Sequence, residues 1–274
     1  MVVILVVGVL SLTGCSGSGR SADKIIVSGS TTILPIAEQS AEAFKTVHPS
    51  ASVLVSGLGS SAGIEAVSAG TAQIGTSSRD LKPEEKSLGL VDTPIAYDGI
   101  AVIVSPLNPV SGLTTKQLQD VFSGKITNWK QVGGEDRPID LVNRDEASGT
   151  REAFKTIVMK GVPFDSRAAV LPGTGQVRDV VARAQGAIGY ISIGFVEPRF
   201  TDVRVKALKV DGVQAIEKNV ANKTYPIGRV LHFFTKGAPT GLAKEYIDFV
   251  LSPAIQKSVV VEAGFIPVAE GGAK

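Results

Sequence analysis

Cysteine and histidine are scarce in this chain, which contains one cysteine and two histidines among 274 residues. A single cysteine cannot close a disulfide within the chain, and so few sulfur and imidazole ligands do not form a zinc pattern. The histidines also limit catalysis, because a nucleophilic serine needs an adjacent base. His48 precedes a proline near the end of a predicted helix, and His232 lies in the apolar run VLHFF, where a core position is expected. The composition therefore predicts neither a metal site nor a cofactor.

Aromatic residues and an excess of charge of one sign are also lacking. Aromatic residues make up 5% of the chain, and 28 basic residues face 26 acidic ones, for a net charge of +2. Proteins that bind nucleic acid usually carry a basic patch, and those that bind single strands usually stack the bases on aromatic rings. We therefore expect no nucleic-acid partner.

The longest hydrophobic run is at the N-terminus. MVVILVVGVLSLTGC is almost wholly apolar but too short to span a bilayer as a helix, which takes about 20 residues. It fits the apolar core of a secretory signal, although no Lys or Arg precedes it. Leu12-Thr13-Gly14-Cys15 resembles the lipoprotein signal box, and SGSGRSAD after it has the small, polar composition of a flexible tether.

These features predict a signal peptide at residues 1–14 and a tether at residues 15–23, with a lipid attached to Cys15. They place the exported chain on the outer face of the cytoplasmic membrane or in the periplasm. The alternative is a buried N-terminal strand with Cys15 in the core.

Short apolar runs alternate with helical patterns along the rest of the chain. Runs of apolar and β-branched residues predict strands, and apolar residues spaced three and four apart predict helices. The predicted strands are IIVS, VLVS, QIGTS, GIAVIVS, IDLVN, AIGYIS, VRVKALKV and VLHFFT, and the predicted helices are ILPIAEQSAEAFKTV, GIEAVSAG, TKQLQDVF, TREAFKTIVM, QVRDVVARAQ and GLAKEYIDFVL. This alternation indicates an α/β fold with largely parallel sheets.

Two segments rich in proline, glycine and polar residues interrupt the alternation, at residues 105–112 and 219–228. Cutting the chain near these segments predicts two lobes. Residues 24–105 and 226–274 form lobe 1, and residues 106–225 form lobe 2. Two crossings between the lobes make a hinge with a cleft between the lobes. We expect the two-lobed chain to be a monomer.

Three strand–helix junctions share a composition of glycine and hydroxyl residues. GSTT (29–32) follows IIVS, GLGSS (57–61) follows VLVS, and SGT (148–150) ends the junction after IDLVN, with Arg144 four residues before Ser148. A helix N-terminus has unpaired N–H groups and partial positive charge, glycine allows close approach, and hydroxyls add donors. The junctions therefore predict an anion site in the cleft, at the carboxyl ends of the strands. Ordinary helix capping by Ser and Thr is the alternative.

The second junction also matches two enzyme motifs. Residues 57–62 fit the dinucleotide fingerprint G-x-G-x-x-[G/A], with Asp80 at a suitable distance, and residues 59–63 fit the nucleophile elbow G-x-S-x-G around Ser61. With 30 glycines in the chain, such matches arise easily by chance. An exported dinucleotide enzyme would lack a cofactor supply, so a serine hydrolase that uses Ser61 is the remaining enzymatic alternative.

The chain resembles the phosphate-binding proteins of ABC-type phosphate importers in five segments: GSTTILPIAE, GLGSSAGIEAVSAGTAQIGTSSRDLKPEE, LTTKQLQDVFSGKITNWKQVGG, NRDEASGTREAF and GAIGYISIGFV. The resemblance runs from Lys24 to Pro267. It implies a periplasmic-binding-protein fold, in which two α/β lobes joined by two crossovers close on one phosphate without catalysis. It also implies delivery of phosphate to the membrane permease and ATPase subunits of an importer. Another tetrahedral oxyanion, such as sulfate or molybdate, is the alternative ligand.

The resemblance assigns the residues of the phosphate site. They are Ser30, Thr31, Thr32, Ser60, Ser78, Arg144, Ser148, Gly149 and Thr150. Arg144 is the charge partner of the anion, and Glu146 matches the acid that holds this arginine in place. Ser78 stands where several relatives carry an aspartate, which predicts weaker rejection of sulfate. Asp98 is the first candidate if a carboxylate reaches the site nonetheless.

Overall fold

The computed structural model describes residues 24–197, 199 and 201–271, so the predicted signal peptide and the whole predicted tether, with Cys15, lie outside the described residues. The strands are β1 (Lys24–Gly29), β2 (Ser52–Gly57), β3 (Ile74–Ser77), β4 (Leu90–Val104), β5 (Gly112–Leu113), β6 (Asp140–Arg144), β7 (Ala169–Leu171), β8 (Ala187–Ser192), β9 (Lys206–Ala207), β10 (Lys209–Val210) and β11 (Gly228–Lys236). The α-helices are α1 (Leu34–Val47), α2 (Ser60–Ala69), α3 (Thr115–Phe122), α4 (Gly149–Phe154), α5 (Thr174–Arg183), α6 (Glu217–Ala221), α7 (Gly241–Leu251), α8 (Pro253–Ile255) and α9 (Val268–Gly271). None of the helices in these ranges has the length and hydropathy that crossing a bilayer requires.

One mixed sheet organises the part of the chain that the structure describes. Its strands follow the order β2-β1-β3-β11-β4-β8-β6-β7, with β9 paired to β4, while β5 and β10 form a separate pair. Parallel pairing occurs towards both ends, where β1 pairs with β2 and β3, and β6 pairs with β7 and β8. In the middle, β11 is antiparallel to β3 and β4, and β4 is antiparallel to β8. The prediction of a largely parallel sheet is therefore wrong at the centre.

The antiparallel centre follows from the path of the chain between two hydrophobic cores. One core is built from residues between Ile25 and Ala96 and between Leu231 and Phe265, and we call the part around it lobe 1. The other is built from residues between Ile100 and Ile227, together with Ile266, and we call the part around it lobe 2. The chain crosses to lobe 2 within β4 and returns at the start of β11, so the two crossing strands run in opposite directions. The boundaries predicted at 105/106 and 225/226 stay predictions.

Most predicted elements are present. All six predicted helices occur, although the fourth changes from α to π geometry at Lys155. Seven of the eight predicted strands occur, but VRVKALKV gives only the short strands β9 and β10, which pair with two different partners on either side of Leu208. The first half of β4, which contains Pro94, was not predicted, and proline within a sheet is usually confined to edge strands and bulges. The structure accommodates Pro94 where the register between β4 and β11 shifts.

Candidate anion-binding site

The three glycine- and hydroxyl-rich junctions meet between the two lobes. The first two lie side by side because β1 and β2 are parallel, with Gly29 opposite Gly57. The third junction reaches them from lobe 2, where the N–H of Ser61 donates to the carbonyl of Ala147 at 3.1 Å. The structure thus brings together the segments that the sequence indicated as one site.

Two pairs of threonines join the lobes at this point. The Oγ1 atoms of Thr31 and Thr174 lie 2.9 Å apart, and those of Thr32 and Thr150 lie 3.2 Å apart. Thr31 and Thr32 precede α1 in lobe 1, whereas Thr150 and Thr174 lie in the first turns of α4 and α5 in lobe 2. Hydroxyl groups of both lobes therefore face one another across the cleft.

Arg144, at the end of β6, contacts one of these threonine pairs. Its Nη1 donates to Thr174 Oγ1 and its Nη2 to Thr31 Oγ1, both at 3.2 Å. Its Nε donates to the carbonyl of Leu171 at 3.1 Å, and Nη2 also donates to the carbonyl of Pro172 at 2.8 Å. These two carbonyls fix the guanidinium in lobe 2 and direct it at the cleft.

The Arg144 guanidinium is charged although it is buried. Only 2% of the residue is exposed. This burial lowers the pKa of Arg144 to about 10, and the negative charge of Asp145 opposes the shift. Because a pKa near this value still leaves the group protonated at neutral pH, Arg144 places a positive charge in the cleft.

The role predicted for Glu146 is wrong. The Glu146 side chain is 82% exposed and forms an ion pair with Arg151, not with Arg144. The carbonyls of Leu171 and Pro172 hold Arg144 in place of a carboxylate. At the tip of the junction, Glu146 faces solvent, where its charge keeps its hydration.

Gly149 brings the start of α4 against two serines of lobe 1. A Cβ atom on Gly149 would lie 2.7 Å from Ser78 Oγ and closer still to Ser60 Oγ. These serines are bonded to each other, because the N–H of Ser78 donates to Ser60 Oγ at 3.0 Å. Glycine is therefore required at position 149 for this approach of the lobes.

The hydroxyls of Ser30 and Ser148 have local partners. Ser30 Oγ accepts from the N–H of Thr32 at 3.2 Å, and Ser148 Oγ accepts from the N–H of Arg151 at 3.2 Å as the N-cap of α4. The capping alternative is thus correct for the acceptor side of Ser148, whereas the Ser30 contact is a local turn before α1, which has no side-chain cap. Each still has its hydrogen to donate.

Arg229, at the start of β11, contacts the second threonine pair, and this contact was not predicted from the sequence. Its Nη1 donates to Thr150 Oγ1 at 2.9 Å and its Nη2 to Thr32 Oγ1 at 3.3 Å. Its Nε and Nη2 also donate to Asp98 Oδ2 at 2.8 and 2.6 Å. Asp98 is fully buried, and its Oδ1 accepts from Ser192 Oγ at 2.7 Å.

Arg229 and Asp98 form a buried ion pair. Burial raises the pKa of Asp98 and lowers the pKa of Arg229, and each charge opposes the shift of its partner. No junction motif surrounds Arg229, so the sequence signal was only a cation at the edge of an apolar strand. Thr174 was missed for another reason: its turn, PGTGQ, resembles the three predicted junctions, but β7 before it has only three residues.

Each threonine pair has a hydrogen left to donate. Arginine only donates, so both hydroxyls of the first pair accept from Arg144 and both hydroxyls of the second pair accept from Arg229. Within a pair one hydroxyl donates to the other, which leaves the second hydroxyl hydrogen for another acceptor. Two guanidinium groups and several free hydroxyl donors suit a ligand that accepts hydrogen bonds and carries negative charge.

The nucleophile-elbow alternative does not fit the geometry. Ser61 Oγ accepts a hydrogen bond from Arg79 Nη2 at 3.1 Å. His232 faces Asp92 at 2.8 Å and Asp80 at 3.2 Å, and His48 faces Glu245 at 3.5 Å. Among the hydrogen bonds of the described residues, none joins either histidine to Ser61, so the serine has no imidazole base.

Comparison with known proteins first gives the class. A family model described as a PBP superfamily domain matches residues 15–254. A structure titled as a putative phosphate ABC transporter substrate-binding protein with bound phosphate, from Clostridium perfringens, is 43% identical, with a TM-score of 0.84 over 90% of this chain and 100% of that chain. An ABC-type phosphate transport receptor from Vibrio cholerae is 35% identical, with a TM-score of 0.73 over 88% of this chain and 99% of that one. The fold is therefore that of a periplasmic solute-binding protein, as predicted.

Curated relatives then give the family. The phosphate-binding protein PstS of Bacillus subtilis (strain 168) is 38% identical over 93% of this chain and 84% of its own. PstS of Pseudomonas aeruginosa PAO1 is 31% identical over 88% of this chain and 81% of its own. The chain belongs to the PstS family of phosphate-binding proteins, which are binding proteins of transporters and not enzymes.

Proposed function

We propose that the chain binds one inorganic phosphate between its lobes and delivers it to the permease and ATPase subunits of an ABC-type phosphate importer. The PstS relatives are named for phosphate binding, and the Clostridium perfringens neighbour carries bound phosphate. The donors of the cleft match this ligand, since phosphate presents four oxygen acceptors and a negative charge.

The burial of Arg144 carries the proposal. No carboxylate among the described residues forms an ion pair with Arg144, and the hydrogen bonds of its guanidinium go to carbonyl and hydroxyl oxygens. A buried charge without a partner is costly, and a hydrogen-bonded counter-ion offsets the cost. A phosphate in the cleft would supply this counter-ion at the point where both lobes offer donors.

Closure of the lobes about the hinge is part of the proposed mechanism. The proposed ligand contacts are the residues predicted from the sequence. These contacts comprise Ser30, Thr31, Thr32, Ser60, Ser78, Arg144, Ser148, Gly149 and Thr150, with hydroxyl, guanidinium and backbone N–H groups as donors. Hydrogen bonds to a charged group contribute about 1.5–3 kcal/mol each, so several would support micromolar binding, about 8 kcal/mol, after ordering costs. Because the donors come from both lobes, phosphate favours the closed arrangement.

Calorimetric titration of phosphate into residues 24–274 tests the proposal. We expect one phosphate per chain with a dissociation constant in the micromolar range or tighter. If phosphate does not bind but sulfate or molybdate saturates the same chain, the ligand is the alternative oxyanion and not phosphate. Absence of binding by all three anions would overturn the function.

Selectivity against sulfate gives a further prediction. Phosphate at neutral pH carries a proton that an ionised carboxylate accepts, whereas sulfate carries none. Ser78 has no charge, and both oxygens of Asp98 are already bonded, to Arg229 and Ser192. We therefore expect phosphate to be preferred, but by less than the about 10⁴–10⁵-fold rejection of sites built to recognise such a hydrogen. Titration of phosphate against increasing sulfate measures this ratio.

A failure of sulfate to compete at about a 10⁵-fold excess would contradict the prediction and require a carboxylate at the anion. Asp145 is then the stronger candidate, because its Oδ1 is buried and has no hydrogen-bond partner among the described residues. Comparison of Asp145→Asn with Asp98→Asn would identify the carboxylate, since only the responsible one would admit sulfate when neutralised.

We also propose that the chain is an exported lipoprotein that works as a monomer on the outer face of the cytoplasmic membrane or in the periplasm. The LTGC box, the apolar run before it and the polar tether after it support this location. A lipid on Cys15 would hold the binding lobes next to a membrane permease.

Replacement of Cys15 by serine tests the anchor. The parent chain, expressed with a functional export signal, should sediment with membranes, and Cys15→Ser should appear in the soluble exported fraction. Ser16→Ala is the matched control and should remain with the membranes. Intact mass spectrometry that finds an unmodified Cys15 in the parent would contradict the proposal.

A further inference from the structure

The ion pair of Arg229 and Asp98 lies where the chain crosses between the lobes. The two residues are directly opposite each other in β11 and β4. Asp98 lies between Ala96, in the core of lobe 1, and Ile100, in the core of lobe 2. The pair therefore belongs to the base of the cleft, within the two crossing strands.

Arg229 contacts both lobes from this position. In lobe 1 its guanidinium donates to Thr32 Oγ1 at 3.3 Å and to the carbonyl of Ser78 at 3.2 Å. In lobe 2 it donates to Thr150 Oγ1 at 2.9 Å. Three of the residues predicted to bind the anion thus surround one guanidinium that the sequence analysis did not include.

Asp98 fixes this guanidinium in orientation. Arg229 Nε and Nη2 both donate to Oδ2 of Asp98, while the Oδ1 atom is held by Ser192 at the end of β8. This arrangement directs the Nη atoms of Arg229 towards the threonines. A purely structural ion pair would not require the guanidinium to bond hydroxyls of both lobes.

We infer that Arg229 is a second anion-binding arginine, set at the hinge, and that Asp98 and Ser192 are the residues that position it. This inference rests on the proposed function, because it assigns the pair to the phosphate site. The ligand would lie between Arg144 in lobe 2 and Arg229 at the crossing strands. The two guanidinium groups carry two positive charges and Asp98 carries one negative charge, so the site keeps net positive charge for an anion that accepts hydrogen bonds from both arginines.

The double variant Asp98→Asn/Arg229→Gln separates ligand binding from the structural ion pair. Removing only Arg229 leaves a buried carboxylate without a partner, which is strongly destabilising, whereas neutralising both residues avoids this cost. We expect the double variant to keep a melting temperature near that of the parent without phosphate. Its affinity for phosphate should fall by about a hundredfold or more, because a buried charged contact to the ligand is lost.

The pair of Arg79 and Glu85 supplies the matched control. Arg79 is also buried, and it binds both carboxylate oxygens of Glu85 at 2.6 and 2.8 Å. Arg79→Gln/Glu85→Gln therefore removes a buried ion pair from lobe 1 without touching the threonine pairs. Its affinity for phosphate should stay within about threefold of the parent value, the scatter usual for sites with no shared partner.

Calorimetry with phosphate on the parent and both double variants distinguishes the outcomes. If the parent fails to bind phosphate, the proposed function is overturned and this inference falls with it. If the parent binds and Asp98→Asn/Arg229→Gln binds equally tightly, only the inference is overturned. Should that variant unfold, Arg229→Lys keeps the charge but loses the fork of donors. It should bind at least about tenfold more weakly, and parent-like affinity would overturn the inference.

Discussion

Replacing Arg144 by alanine lowers the affinity for phosphate by at least about thirtyfold, the equivalent of roughly 2 kcal/mol or more. Like Arg229, this buried guanidinium contacts hydroxyls of both lobes, at Thr31 and Thr174. The unliganded protein should lose little stability, because the removed charge is buried without an ion-pair partner among the described residues. Calorimetry gives the affinity, and thermal unfolding with and without phosphate gives the stabilisation by ligand, which should largely disappear.

Arg151→Ala is the control for the Arg144 variant. Arg151 lies on the same junction, but it pairs with the exposed Glu146 and packs over the ring of Phe164, with 5.1 Å between its guanidinium carbon and the ring centroid. Its removal should change the affinity by less than about threefold, as expected for a partly exposed ion pair. Equal affinities of Arg144→Ala and the parent would place the anion elsewhere.

Replacing Gly149 by alanine abolishes tight phosphate binding without unfolding the protein. The added Cβ would come within 2.7 Å of Ser78 Oγ and closer to Ser60 Oγ, both on lobe 1, while Gly149 itself is on lobe 2. The backbone at position 149 accepts alanine, since its φ is not positive. The methyl group therefore clashes only when the lobes are closed. We expect the affinity for phosphate to fall by about a hundredfold or more, because the clash resembles overpacking in a protein core.

Gly175→Ala is the matched control, because a Cβ at Gly175 would meet only Arg178 Nη2, at 3.8 Å. It should bind phosphate like the parent. Small-angle scattering adds a second measurement: phosphate should shrink the radius of gyration of the parent and of Gly175→Ala, but not of Gly149→Ala. A Gly149→Ala chain that binds and contracts like the parent would show that the lobes do not close on this contact.

Local patterns predicted most of the elements and the three junctions. Strands such as β1 and β8 are short, apolar and bounded by turns, so their periodicity is clear. The junctions are also local, since glycine and hydroxyl residues lie within a few positions of a helix start. Parallel strands bring such junctions to one edge of a sheet, which is why separate segments of the sequence indicated a single site.

Contacts between distant segments were not predictable in the same way. Arg229 lies at the cleft because β11 pairs with β4, and the residues around Arg229 have no pattern that predicts this pairing. The antiparallel centre of the sheet depends on the same return of the chain. Glu146 was misassigned because a resemblance in sequence does not fix the direction of a side chain on a junction. The carbonyls of Leu171 and Pro172 hold Arg144 instead.

The position of the bound anion tests the central claim most directly. A crystal structure of residues 24–274 grown with arsenate, which has the shape and charge of phosphate, would locate the anion by the anomalous scattering of arsenic. We predict one arsenic site per chain, between Thr31 and Thr32 of lobe 1 and residues 148–150 of lobe 2, with arsenate oxygens about 3 Å from the Arg144 guanidinium. An arsenic site outside this cleft, or one inside it without a contact to Arg144, would contradict the account.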